Sequence, residues 1–300
     1  MTDAAKDPQT PQDPQTSNAQ DAREPRGPRD PGTARGSDAH EPLARRYDTA
    51  LLDLDGVVYR GADAVPHAVS ALLSAAELGM RLTYVTNNAS RTPEAVAEHL
   101  VRLGLPATPE DVVTAAQAVA RMIAESVPAG AKVLAVGGEG LRVALEAHGL
   151  VPVASADENP AAAVQGYRPT TSWEELAEIA YAVQRGVPWF AANTDLTMPT
   201  ARGIAPGNGA LVTAVAQACG GWPRVAGKPE IALHRETMIR TNAKRPLIVG
   251  DRLDTDIEGA NRAGVDSLLV LTGVTTRDQA EAAEGEQKPT YIADDLRALL

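Results

Sequence analysis

The hydrophobic pattern along the chain changes character once, near residue 46. Before that point apolar residues are sparse. DPQT occurs twice, at 7–10 and 13–16, and Pro25, Pro28 and Pro31 follow among mixed charges. Such a stretch buries too little surface to offset the entropy of ordering, so residues 1–46 are expected to form a disordered tail. Beyond it, short apolar runs alternate with helical periodicity. Ala50, Leu51, Leu52 and Leu54 predict a buried strand over 47–53. The segment 56–65 reads as a small flap, and 66–78 as a helix with Pro66 in its first turn. A strand over 82–86 runs into Asn87 and Asn88. Thr92-Pro93-Glu94 and Thr108-Pro109-Glu110 are start signals for helices over 92–103 and 108–126.

The middle of the chain repeats this theme. Strands are predicted over 132–136, 161–166 and 188–192, and helices over 140–148 and 172–185. Ser172 caps the second helix, Glu174 and Glu175 suit its first turn, and Gly186 ends it. Pro206-Gly207-Asn208-Gly209 is a turn into a helix reaching Cys219. In the last third, Gly227-Lys228-Pro229 precedes a helix to 242. A strand over 246–249 ends in Gly250-Asp251, a polar loop 252–254 leads to a helix over 255–263, and a strand over 267–271 follows. The alternation predicts βαβ units and a parallel sheet.

Composition narrows the function. Hydrophobic residues make up 44% of the 300 positions but aromatics only 3%, so the core is built from Ala, Val and Leu. A net charge of -11 argues against a nucleic-acid binder, which needs clustered Lys and Arg. The single cysteine, Cys219, excludes an internal disulfide and a Cys-built metal site. No stretch suits a membrane span and no signal pattern opens the chain, so a soluble cytoplasmic protein is expected. His67, His99, His148 and His234 lack metal-ligand spacing.

The chemistry gathers at strand ends. Asp53 and Asp55 stand two residues apart, so both can project from the carboxyl end of one strand. Two such charges repel unless a cation or proton intervenes, and hard oxygen ligands suit Mg²⁺. Thr86, Asn87, Lys228 and Asp251 also stand at or beside predicted strand ends, where open α/β sheets bind ligands. Carboxylates for a metal, a hydroxyl, amides and one ammonium suit a phosphoryl group held by Mg²⁺. No GxxxxGK[ST] loop is present, which argues against a P-loop nucleotide hydrolase.

DLDGVVY, VTNN, GKP and GDRLDTDI, in that order, resemble the four motifs of the haloacid dehalogenase (HAD) superfamily. NTDLTMPT and PGNGALV resemble its class IIA, NagD-like phosphatase branch, which includes actinobacterial glycerol-phosphate phosphatases. The resemblance implies an α/β fold: a Rossmann-like HAD core with a parallel sheet over 46–128 and 222–300, and an inserted α/β cap of the C2 type over 129–221. It implies Asp53 as nucleophile, forming an aspartyl-phosphate, and Asp55 as general acid and base. Mg²⁺ would be held by Asp53, the Asp55 backbone carbonyl and Asp251. Thr86, Asn87 and Asn88 would bind the phosphoryl oxygens, Lys228 would balance charge, and Asp256 would orient a metal water or Lys228. The partner implied is a small phosphorylated metabolite, and homodimerisation through the cap is common in the branch.

Glycerol 3-phosphate or 2-phosphoglycolate leads among substrates by that resemblance. Pyridoxal phosphate is disfavoured, because Met198 stands where relatives acting on it carry a histidine. Another substrate (pyridoxal phosphate, a nucleoside monophosphate or a sugar phosphate), a phosphotransferase or mutase, and a catalytically silent phosphate-ligand sensor remain alternatives. The loop 193–202 is the expected route to the substrate. Gly207-Asn208-Gly209 reads as a turn and helix start, not as a phosphate cradle.

Overall fold

The structure, a computed structural model, describes residues 41–200 and 202–300. Two parallel sheets organise it. The larger has six strands in the spatial order Tyr291–Ala293, Asp266–Val270, Pro246–Gly250, Thr49–Leu52, Arg81–Thr86 and Val112–Thr114. The second has five: Arg224–Val225, Trp189–Ala191, Ala162–Gln165, Lys132–Val136 and Val151–Val153. The larger sheet grows outward from Thr49–Leu52 in both directions. Its switch point therefore lies between that strand and Pro246–Gly250, paired in register Leu52 with Val249. Ligands of open α/β sheets sit at the carboxyl ends flanking such a point.

Side-chain alternation divides the core. Leu52, Tyr84, Val112, Leu247 and Val249 point to one face of the larger sheet and Leu51, Val85, Val113 and Ile248 to the other. The second face shares one apolar cluster with Val133, Val164 and Phe190 of the second sheet. Between them lies the helix Ala115–Ala124, in which Ala115, Ala116, Ala118, Val119, Ala120 and Ile123 are all buried. Alanine lets both sheets approach this helix closely, and its one polar stripe is satisfied: Gln117 accepts the Thr114 N–H and Arg121 pairs with Glu236.

Four expectations need correction. The predicted tail boundary at 46 is too late: Leu43–Arg46 forms a helical turn with Leu43 and Ala44 buried, and 1–40 lie outside the described residues. The single helix over 108–126 is three elements: a turn at Pro109–Asp111, the strand Val112–Thr114 and the helix Ala115–Ala124. Thr108 and Asp111 satisfy each other's backbone within one turn, and the β-branched run Val112-Val113-Thr114 then pairs with Tyr84, Val85 and Thr86. The polar loop before 255 is a wide helical turn over Leu253–Ile257, running into the helix Glu258–Arg262. Finally, Arg224–Val225 pairs with Phe190 and Ala191, so the segment after 222 begins on the second sheet.

Strands at Val151–Val153 and Gly203–Pro206 were not foreseen. The second pairs with Thr197–Thr200 as an antiparallel hairpin in place of the plain loop 193–202. Another small hairpin, Tyr59–Arg60 with Asp63–Ala64, follows Asp55 where the flap is expected. Among the described residues, no helix is long and apolar enough to cross a membrane.

Candidate active site

Asp53 and Asp251 emerge side by side at the switch point, because their strands are neighbours and both end there. The Asp53 N–H bonds to the Val249 carbonyl at 2.8 Å, which fixes where the chain leaves the strand. Asp256 joins them from the turn Leu253–Ile257. The wider spacing of that turn is a common device at functional sites. Here it brings Asp256 back against Gly250, where a Cβ would lie 2.2 Å from the Asp256 Cβ, so only glycine leaves room. One carboxylate oxygen from each of Asp53, Asp251 and Asp256 can lie within 4.8 Å of the others.

Lys228 is 4% exposed and enters this group from the opposite side. Its ammonium donates to Asp53 Oδ1, to Asp256 Oδ1 at 2.7 Å and to the Val85 carbonyl at 3.4 Å. Burial alone would depress the lysine; Asp256 and Asp53 outweigh it and hold the ammonium above its usual range. The acids show the converse. Burial keeps Asp53 well above the ordinary carboxylate range despite Lys228, and Asp256 and Asp251 add to the effect. Burial and the Asp256 charge push Asp251 up to about 7. One ammonium does not neutralise three closely packed carboxylates.

Asp251 carries the clearest sign of a missing partner. Its Oδ2 accepts the Val274 N–H at 2.7 Å, while Oδ1 is buried with no hydrogen-bond partner among the described residues. Gly273 and Gly56 pack against the same carboxylate; a Cβ on Gly273 would lie 1.8 Å from Oδ2. A buried oxygen without a donor, in a group with surplus negative charge and hard donors, fits a divalent cation such as Mg²⁺.

The Asp55 side chain lies outside the acid trio and is exposed at the flap. Surrounding protein raises its proton affinity, opposed by the fields of Arg91, His99 and Lys228. Tyr59, bridged through its backbone to Asp55, stacks on His99 with ring centroids 4.6 Å apart. Arg91 and His99 were not singled out as site residues, since their proximity to Asp55 depends on how the flap folds over the helix Pro93–Arg102.

The comparisons with known proteins give the family. A family model described as haloacid dehalogenase-like hydrolase matches residues 50–151, and a HAD hydrolase-like model matches 225–299. A D-glycerol 3-phosphate phosphatase of Mycobacterium tuberculosis is 49% identical over 257 residues, covering 86% of this chain and 72% of that protein. The chain belongs to the haloacid dehalogenase-like hydrolases. The 5'-nucleotidase YutF of Bacillus subtilis is 36% identical, over 84% of this chain and 97% of that one. The crystal structure of a Mycobacterium tuberculosis glycerol phosphate phosphatase in complex with magnesium superposes with a TM-score of 0.83 at 49% identity, covering 86% and 78% of the two chains. A p-nitrophenyl phosphatase from Archaeoglobus fulgidus gives 0.77 at 31% identity, covering 84% and 98%.

Within this HAD frame, the segment after Arg81–Thr86 departs from expectation at one residue. Thr86 Oγ1 accepts the Asn88 N–H at 3.1 Å and keeps its own proton to donate. Asn88 Oδ1 takes the Ser90 N–H at 2.8 Å and the Ser90 hydroxyl at 2.7 Å, which orients the side chain. The Asn87 side chain, whose residue is expected to bind phosphoryl oxygens, is committed elsewhere. Its Oδ1 accepts the Lys228 N–H at 2.7 Å, and its Nδ2 donates to the Lys228 carbonyl at 3.1 Å and to Asp195 at 3.2 and 3.3 Å. A side-chain amide whose two N–H groups are so engaged has no donor left for a phosphoryl oxygen.

Proposed function

We propose that this HAD hydrolase is a Mg²⁺-dependent phosphatase acting on small phosphomonoesters in the cytoplasm, with glycerol 3-phosphate as its leading substrate. The observation that carries the reading is the buried Lys228 clamped between Asp53 and Asp256, beside the unpartnered Oδ1 of Asp251. The M. tuberculosis relative named for D-glycerol 3-phosphate supports the substrate. Its solved complexes with magnesium and calcium support the cation.

Asp53, Asp251 and the Asp55 backbone carbonyl would hold Mg²⁺, which when bound offsets negative charge on the phosphoryl oxygens. Asp53 attacks phosphorus, and the bond from phosphorus to the ester oxygen breaks. Asp55 gives its proton to the leaving alkoxide, a role its raised proton affinity suits. The product is an aspartyl-phosphate on Asp53 and a free alcohol. Asp55, now a carboxylate, removes a proton from water, which attacks the same phosphorus; the bond from phosphorus to the Asp53 oxygen breaks, releasing inorganic phosphate and restoring the Asp53 carboxylate. Lys228 balances charge on Asp53 and the phosphoryl group, and Asp256 holds Lys228 in place. Thr86 and Asn88 donate to the phosphoryl oxygens. The second sheet and its hairpin form the cap, which covers the crevice and meets the leaving group.

The test is phosphate release from glycerol 3-phosphate, 2-phosphoglycolate, pyridoxal phosphate, a nucleoside monophosphate and p-nitrophenyl phosphate, with Mg²⁺ or with EDTA. Mg²⁺-dependent release, fastest with glycerol 3-phosphate, is expected. Release that survives EDTA would contradict the metal, and preference for another ester would replace the substrate.

A further inference from the structure

Two sequence motifs, Asn193-Thr194-Asp195 and Pro206-Gly207-Asn208-Gly209, take no part in the chemistry above. They meet at the carboxyl edge of the second sheet, against the segment that carries Lys228. We propose that Asn193, Asp195 and Asn208 are positioning residues for Lys228, acting through Asn87, so that the second sheet places the lysine that the larger sheet uses. This inference rests on the phosphatase reading.

The hydrogen bonds form a continuous path. Asn208 Nδ2 donates to the Asn193 carbonyl at 2.7 Å. Asn193 Nδ2 donates to the Asn87 carbonyl at 2.7 Å, and its Oδ1 accepts the Asp195 N–H at 3.2 Å. The Asp195 carboxylate accepts from Asn87 Nδ2, and Asn87 grips both the N–H and the carbonyl of Lys228. A second strap runs beside it: the Gly227 N–H bonds to the Ala192 carbonyl at 2.8 Å, and Ala226 to Ala191 at 3.1 Å. The peptide bearing the lysine is thus tied to the second sheet, while its ammonium is spent in the first.

The glycines show that this contact is built. A Cβ on Gly207 would lie 2.2 Å from the Asp195 carbonyl oxygen, and one on Gly209 would lie 2.1 Å from that of Thr194. Gly227 is closed in by the Ala192 carbonyl and Asn87 Oδ1, each 2.7 Å from its Cβ position. Two backbone amides where the helix Asn208–Cys219 begins also hold the contact: Gly209 donates to the Asp195 carbonyl and Gly207 to the Leu196 carbonyl, each at 2.9 Å. Polar groups that hold a catalytic group in place through an intermediary typically cost 10–100-fold in activity when removed.

The experiment compares Asp195→Ala and Asp195→Asn with the wild-type chain, measuring steady-state phosphate release and hydrogen exchange of residues 226–230. Asp195→Ala should lower kcat roughly 10–100-fold with KM changed less than about threefold, and should speed exchange at 226–230. Asp195→Asn keeps an acceptor for Asn87 and should retain most of the rate. Unchanged kcat, or a raised KM at unchanged kcat, would overturn the proposal, the latter by making Asp195 a substrate contact. A wild-type chain that releases no phosphate would sink the phosphatase reading, yet the exchange result would still judge the tie to Lys228. If Asp195→Ala does not fold, Asn87→Asp sets two carboxylates face to face and should lower kcat. Adding Asp195→Asn should recover part of it, and a folded double variant without recovery counts against the tie.

Discussion

The acid cluster and the exposed hairpin are built on opposite principles. At the carboxyl end of the larger sheet, Asp53, Asp251 and Asp256 close around the Lys228 ammonium so tightly that Gly250 and Gly273 admit no side chain beside them. The hairpin Thr197–Thr200 with Gly203–Pro206, a separate two-stranded sheet, leaves Ile204 80% exposed and the preceding Leu196 63% exposed. Reaction chemistry tolerates little displacement, so it sits where backbone and side chains over-determine each position. Selectivity is carried by segments that tolerate change.

The contrast predicts effects of very different size. The largest belongs to Asp53→Asn, which removes the nucleophile and should reduce turnover by about 10³-fold or more, measured as phosphate release with Mg²⁺ present. Next is Gly273→Ala, whose new methyl collides with the Asp251 carboxylate. It should cost roughly 2–4 kcal/mol in urea unfolding and weaken Mg²⁺ binding in calorimetry, whereas equal stability would show the packing to be looser than described.

An intermediate effect is buried under the lysine. His234 has neither ring nitrogen hydrogen-bonded among the described residues. Burial, aided by Lys228, pushes its pKa down to about 4. A depressed imidazole stays neutral in the fold, so its contribution is complete above the unfolded value of 6.5 and is lost as pH falls toward 4. His234→Leu should therefore remove about 2 kcal/mol of the stability difference between pH 7 and pH 5. An unaltered difference would show that the ring already titrates normally. The smallest effect is expected at the hairpin: Ile204→Ala should leave stability within about 0.5 kcal/mol and kcat unchanged, while altering the KM ranking across the ester panel.

The same contrast decides what was legible in the sequence. Asp53, Lys228 and Asp251 could be read because each lies in a short polar segment at the end of an apolar strand. The role of Asn87 could not, since its partners Asp195 and Lys228 lie 108 and 141 residues away. Local signals also misled at Thr108, whose start pattern was genuine but was satisfied by one turn before Val112-Val113-Thr114 took up strand pairing. Asp256 was expected to orient its neighbours and does hold Lys228. Its place inside the acid trio depends on a turn geometry that no residue pattern announced.

The central strand Thr49–Leu52 has a partner that arrives late. Asp48 accepts a hydrogen bond from the Arg245 N–H, 197 residues further on, where the two strands begin to pair. At ordinary translation rates about 10–40 s separate the emergence of these two segments from the ribosome. Lys228 emerges shortly before that interval closes and Asp251 and Asp256 just after it, so for nearly all of it the nascent chain carries Asp53 without its buried partners, and the charge cluster is assembled from the two ends of the fold.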